Sequence, residues 1–325
     1  MRAIRPRIIT ITTILLVVAG LAGALTALLH TDQGKATDGA GKHAVKGARE
    51  IDLAREVTDY TSRFGADHGY RQPSRANREA IAGAVGLLLD GHRKEAEQTL
   101  SQRDFTVRTV VDRSSGVNYA EVADRTDAAV APRGWGRFYI DLDHHPRWSV
   151  QVPHPVFDRG TELLGVRVMR GSPGGVLVIA GAHRKAGVGN SADVAHREDT
   201  VFSAVCAELA RRGMPGIQLH GFAASSAPGF DVVASTGAGP TGRQDGRTLA
   251  DAFRVRGFHV CRAWVRSCPL EGRENVQGRV ADDDHVPFLH IEFSPTVRAG
   301  GRPAEQASAA VGRITREWAN TPLRN

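Results

Sequence analysis

Four short stretches join apolar, strand-like runs to side chains that bind metals or move protons. They are Ser149-Val-Gln-Val-Pro-His154-Pro-Val-Phe-Asp158, Asp193-Val-Ala-His196-Arg197, Gly216-Ile-Gln-Leu-His220 and Phe288-Leu-His290-Ile-Glu292-Phe293. An imidazole directly after an apolar run stands where a strand leaves the core and a cleft opens. Neutral imidazoles and a carboxylate suit Zn²⁺, and a catalytic zinc takes three protein ligands and keeps one position open. His154 and Asp158 are near neighbours after one strand, and His220 comes from another, which is a common layout for such a centre. Each histidine taken singly is more often structural. The ordered set is what points to one assembled centre that hydrolyses a bond.

Glu292 admits two readings. Alternation of Leu289, Ile291 and Phe293 with His290 and Glu292 describes a half-exposed strand whose carboxylate faces water. Beside a metal, the same carboxylate serves as general base and then delivers the proton to a leaving amine. Arg197, just before a helix, is placed to bind a substrate carboxylate or stabilise an oxyanion, or else simply to pair with Asp193 or Glu198. His183 and Arg184, after the run Gly175–Ala182, are further candidates for substrate binding. Two other clusters invite different chemistry. Asp141-Leu-Asp143-His144-His145 lacks the additional aspartates a phosphoesterase would need, and Asp282-Asp-Asp-His285 has the character of a solvated turn before a proline.

These groups must be positioned by a mixed, mostly parallel α/β sheet flanked by helices. Trp148–Val152, Gly175–Ala180, Gly216–Leu219 and Pro287–Phe293 are short apolar runs expected of strands covered on both faces. Thr200–Arg212 is the clearest intervening helix, and Ala304–Trp318 predicts a closing one. Phe105–Val111 and Val117–Val122 flank Ser114-Ser-Gly116 as a β-hairpin, with Phe138–Leu142 continuing an antiparallel set. Upstream, Ile51–Phe64 and a segment opened by Ser74 and reaching Leu100 predict a helical prelude. Catalytic groups in such sheets collect beyond the carboxyl ends of the strands, where His154, His183 and His220 all fall.

Length and composition bound the rest. The chain has 325 residues, 41% of them hydrophobic, enough for a substantial core. Arg2, Arg5 and Arg7 precede an uncharged stretch from Ile8 to Leu29, long enough to span a bilayer core of about 30 Å. Residues 1–30 are therefore expected to be a signal peptide or membrane anchor, 31–47 a flexible linker, 48–104 a helical N-terminal extension and 105–325 the α/β domain. The bulk would then lie on the extracellular side, anchored or secreted, where Cys261 and Cys268 are close enough to bridge; paired and unpaired states both stay open. A net charge of +7 comes without any aromatic-interleaved basic motif, so no nucleic-acid partner is expected, and attraction to an anionic cell envelope or plain solvated charge accounts for it.

The order His-x-x-x-Asp followed by Gly-Thr, then Asp-x-x-x-Arg, a strand-end His, and Ile-Glu-Phe-Ser with Arg298 shortly after resembles the zinc carboxypeptidase-like hydrolases, over roughly Trp148–Arg298. Within them the likeness is to N-formylglutamate amidohydrolases, aspartoacylases and phage-type poly-γ-glutamate hydrolases. The resemblance implies a zinc carboxypeptidase-like fold, zinc on His154, Asp158 and His220, Glu292 as catalytic glutamate and Arg197 as the arginine that polarises the carbonyl or holds a carboxylate. Substrate binding would involve Arg298, His196 and the region of Arg184 and His183. Two departures stand out. Carboxypeptidases use His-x-x-Glu, which leaves Glu162 as a reserve ligand, and His196 stands where relatives often carry Asn. The expected activity is cleavage of an amide bond in a carboxylate-bearing substrate such as poly-γ-glutamate or a cell-wall peptide. The alternative is a non-catalytic envelope protein of the same fold that binds an anionic ligand.

Overall fold

The computed structural model describes residues 47–322. The expected signal or anchor segment and all of the linker before Gly47 lie outside the described residues. Among these residues no helix is long and apolar enough to cross a membrane. The stretch 48–104 and the sheet that follows belong to one compact unit, Ala44–Asn325.

In chain order the strands are β1 (Arg49–Ile51), β2 (Phe105–Asp112), β3 (Asn118–Asp124), β4 (Arg137–Asp141), β5 (Trp148–Val152), β6 (Gly175–Ile179), β7 (Gly216–Gly221), β8 (Val232–Ser235), β9 (Val260–Arg262) and β10 (Phe288–Phe293). The helices are α1 (Leu53–Thr61), α2 (Arg75–Leu89), α3 (Arg93–Ser101), α4 (Thr161–Gly171), α5 (Val201–Arg211), α6 (Arg243–Val255), α7 (Val276–Asp283), the single turn α8 (Pro295–Arg298) and α9 (Gly301–Asn320).

Local chemistry sets several of these boundaries. The Asp52 carboxylate accepts from the Ala54 and Arg55 amides and starts α1 after a strand, so the residues near Ile51 form β1 rather than the first turn of a helix. Ser74 caps α2 and Thr200 caps α5 in the same way. The helix expected to run on from Ser74 to Leu100 is two helices, broken at Gly91, which takes φ 79°.

All ten strands form one sheet in the order β1-β2-β3-β4-β6-β5-β7-β10-β8-β9. Parallel neighbours outnumber antiparallel ones only five to four, because β2, β3, β4 and β6 pair antiparallel in succession and β8 runs against β10. One face packs Val150, Val152, Ile217, Leu219, Leu289, Ile291 and Phe293 against the helical residues Leu164, Phe253 and Ile314. On the other face, the β3–β4–β6 region is apolar, with Val122, Phe138 and Val178 meeting Ile81 and Val205.

Where β5, β7 and β10 meet, that second face turns polar. The strand period of two sends Gln151, Gln218, His220, His290 and Glu292 to the side opposite their apolar neighbours. Register lines them up, with Gln151 beside Gln218, Gln218 beside His290 and His220 beside Glu292. Helices α5 and α7 lie over this region, and every one of these polar side chains is buried. Glu292 therefore does not sit on the solvent face of a half-exposed strand.

Candidate metal centre

His154 follows β5 by two residues, and Asp158 returns to it through a single turn closed by the Asp158 amide on the His154 carbonyl at 2.8 Å. Val156, inside that turn, takes φ 69°. A β-branched residue there is strained, and such strain persists only where the surroundings enforce it. The turn sets Asp158 Oδ2 3.3 Å from His154 Nδ1, while His220 on β7 brings its own Nδ1 to 3.2 Å from the same oxygen. The two imidazole rings meet edge-on with centroids 4.9 Å apart, and all three residues are buried.

The remaining contacts decide which of these atoms carry protons. His154 Nε2 lies 2.8 Å from Asp193 Oδ1, an acceptor, so Nε2 carries the proton and Nδ1 the lone pair. Arg184 confirms this: its Nη1, which can only donate, faces His154 Nδ1 at 3.5 Å. His220 Nε2 lies 2.8 Å from Gln218 Oε1, which likewise leaves the lone pair on Nδ1. Burial pushes the pKa of His220 down to about 4 and keeps it neutral.

In these tautomers two imidazole lone pairs face one carboxylate oxygen, a donor set able to take a cation. Their separations of 3.2 and 3.3 Å match the edge of about 3.3 Å for a tetrahedron with zinc–ligand bonds of about 2.0–2.1 Å. The donor set fits zinc.

Asp193 ties the surroundings together. Its Oδ1 takes the His154 proton, and its Oδ2 accepts from Arg184 at 2.5 Å and stands 3.1 Å from His196 Nδ1. His196 stacks on His154 at 6.5 Å. Glu292, one strand over from His220, is buried, and its Oε2 has no hydrogen-bond partner among the described residues. Burial first, and the negative charge of Asp158 second, push its pKa well above the ordinary range. His290 lies 4.7 Å from the His220 ring centroid and 3.8 Å from Glu292, with Gly272 leaving room for its ring. His220, His290 and Glu292 also bring ligand atoms within 4.8 Å of one another.

Other residues singled out in the sequence stand elsewhere. Arg197 spends its guanidinium on Asp199, at 3.0 and 2.7 Å, and Arg184 is the arginine that faces the centre. Arg298 donates to the backbone carbonyls of Phe293, Arg159 and Phe222, a structural clamp rather than a free hand for substrate. Gly221 makes room for it, since a Cβ there would lie 2.2 Å from the Arg298 side chain. Glu162 accepts from the Gly160 amide at 3.1 Å and is absent from the three clusters able to hold a metal among the described residues. His183 accepts from the Lys185 amide and sets its ring edge-on to the exposed Phe157. His144 caps its own turn on Asp141, and Cys261 and Cys268 form a disulfide.

Asp193, Gln218 and Asn275 shape the centre, and sequence reasoning gave them no functional part. The available signals were the placement of Gln218 two residues before His220, on the same strand face, and Asp193 opening the stretch that ends in Arg197.

No family model matches the chain, and no curated protein matches it. Among solved structures it is similar to a bacteriophage poly-gamma-glutamate hydrolase, at 14% identity and a TM-score of 0.40 over 57% of this chain and 90% of that one. An N-formylglutamate amidohydrolase from Ralstonia eutropha JMP134 shows 15% identity and a TM-score of 0.37, covering 56% and 96%. A metallo-carboxypeptidase from Burkholderia cenocepacia shows 11% identity and a TM-score of 0.35, covering 72% and 67%.

Proposed function

We propose that the chain is a zinc-dependent hydrolase that cleaves an amide bond in a carboxylate-bearing substrate on the extracellular side of the membrane. The observation that carries this is the meeting of His154 Nδ1, His220 Nδ1 and Asp158 Oδ2 beside the buried Glu292. A zinc ion bound to these three atoms would supply Lewis acidity towards a carbonyl oxygen and towards water. Glu292 takes the proton from water as its oxygen adds to the carbonyl carbon, and returns that proton to the nitrogen as the carbon–nitrogen bond breaks. Arg184, held by Asp193 beside His154, offers positive charge to the oxyanion or to a substrate carboxylate.

A cavity of about 370 Å³ beside the ligand-bearing turn supports the substrate class, with Val156, Phe157 and the cationic Arg159 in its lining. Phe157 also carries Arg184 and Lys185 over its ring, at 5.1 and 5.7 Å, so cationic groups gather at this mouth. Poly-γ-glutamate and acidic cell-wall peptides have the matching charge. The extracellular setting is supported by the Cys261–Cys268 disulfide and by the uncharged run Ile8–Leu29.

The test is release of free amine by zinc-loaded protein from poly-γ-glutamate, γ-glutamyl wall peptides and N-acyl glutamates, each compared with its esterified form. Hydrolysis confined to the free acids is expected. Zinc binding with no amine released from any of them would instead make the chain a binder of anionic ligands.

A further inference from the structure

We propose that Gln218 and Gln277 are positioning residues that lock the imidazole of His220 in the tautomer with its proton on Nε2, so that the lone pair on Nδ1 points at Asp158. The relay starts at a group that cannot be reversed. The backbone carbonyl of Val194 only accepts, and the Gln277 side chain donates to it at 2.8 Å through Nε2. That same Nε2 reaches Ser203 Oγ at 2.9 Å. The oxygen of Gln277 therefore faces the other way, towards Gln218.

Facing an oxygen, Gln218 must present its Nε2, which lies 3.0 Å from Gln277 Oε1 and 3.2 Å from Gln151 Oε1. Gln151 is consistent with this, since its own Nε2 donates to Ser149 Oγ. With the nitrogen committed, Gln218 Oε1 is left pointing at His220 Nε2, at 2.8 Å. Asn275 donates to the same oxygen at 2.6 Å, so the 3.2 Å approach of its Nδ2 to His220 Nε2 is two donors sharing one acceptor. The side chains of Gln151, Gln218, His220, Asn275 and Gln277 are all buried, which shields the imidazole from bulk solvent.

Orientation is thus transmitted from a main-chain carbonyl before α5, through a glutamine on α7 and another on β7, to the imidazole. Without Gln218 Oε1, the strongest acceptor in reach of His220 is Asp158 Oδ2 at 3.2 Å. The proton would then move to Nδ1 and occupy the position needed by a cation.

The inference rests on the proposed metal centre for its consequence, but the tautomer is read in metal-free protein. The experiment is a long-range ¹H–¹⁵N correlation spectrum of ¹⁵N-histidine-labelled, metal-free protein near pH 7, with His220 assigned by its loss in H220Q. Wild type is expected to show a single Nε2–H tautomer. In Gln218→Met the pattern should shift to Nδ1–H, and zinc affinity should fall by about 10–100-fold, as for other groups that orient a ligand. Gln277→Met frees the Gln218 amide to turn and should give a mixture. Gln277→Glu keeps an oxygen facing Gln218 and should preserve the wild-type tautomer even where it lowers the melting temperature.

A purely structural role would make the two Gln277 variants differ in stability alone, with His220 unchanged in both, and that outcome overturns the proposal. So does a wild-type spectrum showing Nδ1–H. Should Gln218→Met fail to fold, the wild-type spectrum and the Gln277 pair decide. A fixed Nε2–H tautomer without zinc binding would refute the proposed hydrolase and leave the glutamine relay standing.

Discussion

His154 Nε2 and Asp193 Oδ1 stand 2.8 Å apart, joining two loops 39 residues distant in the chain. The carboxylate fixes the imidazole's proton on the side away from Asp158, and Arg184 and His196 hold the carboxylate in turn. Replacing Asp193 by Asn keeps an acceptor but removes the charge that pairs with Arg184. Zinc affinity is expected to drop by about 10–100-fold, measured by competition with a chelator, and Asp193→Ala should lose more. Equal affinities in all three proteins would mean that the contact orients nothing.

Glu292→Gln preserves shape and removes the carboxylate proposed as general base. Hydrolysis should fall by about 10²–10⁴-fold with bound zinc retained, as general-base contributions of this kind do. Unchanged turnover would take Glu292 out of the mechanism.

Asp112 fastens the N-terminal elements to the sheet. Its buried carboxylate accepts from the Leu53 amide at 3.0 Å, from Ser115, and from Arg170 at 2.8 and 2.9 Å, while Arg170 also reaches Asp52. Burial alone would raise its pKa, but Arg170 and these donors prevail and hold it below the ordinary 3.8. An acid whose pKa is depressed by folding stabilises fully above its unfolded value and loses that contribution as pH falls through the folded one. Asp112→Asn should therefore cost about 2 kcal/mol in urea unfolding at pH 7. The gap from wild type should close as pH drops below about 4. A gap that widens on acidification would reverse the assignment.

The Cys261–Cys268 bridge closes a short loop after β9. Loop-closure entropy for so few residues stabilises by about 2.5 kcal/mol. Reduction should lower the melting temperature by about 5 °C in a chain of this size, while Cys206, buried and unpaired, contributes nothing to the redox response. No shift on reduction would show that the bridge carries no stability.

Much of this arrangement was legible in the sequence, because strand-end histidines and alternating apolar residues obey local rules. His154, Asp158, His220 and Glu292 follow from position along short apolar runs, and β5, β6, β7 and β10 appear near their expected bounds. The strands Val232–Ser235 and Val260–Arg262 were not, being four and three residues long and lacking any periodic signal. Helices α6 and α7 went unread for a different reason, their interiors being rich in charged residues and glycine. The choice between Arg184 and Arg197 was also beyond sequence, since it is made by Asp199, which takes Arg197 for itself. Gln218 resembled any polar residue alternating along a strand. Its importance comes from α7, whose Gln277 reaches it across 59 residues of chain.

The central claim is that His154, Asp158 and His220 hold one divalent cation. Metal-free protein titrated with Zn²⁺, followed by calorimetry and elemental analysis of the product, tests it directly. One tightly held zinc per chain is predicted for wild type and for Glu292→Gln, and its loss for His154→Ala and His220→Ala. A folded wild-type protein that takes up no stoichiometric zinc would contradict the claim.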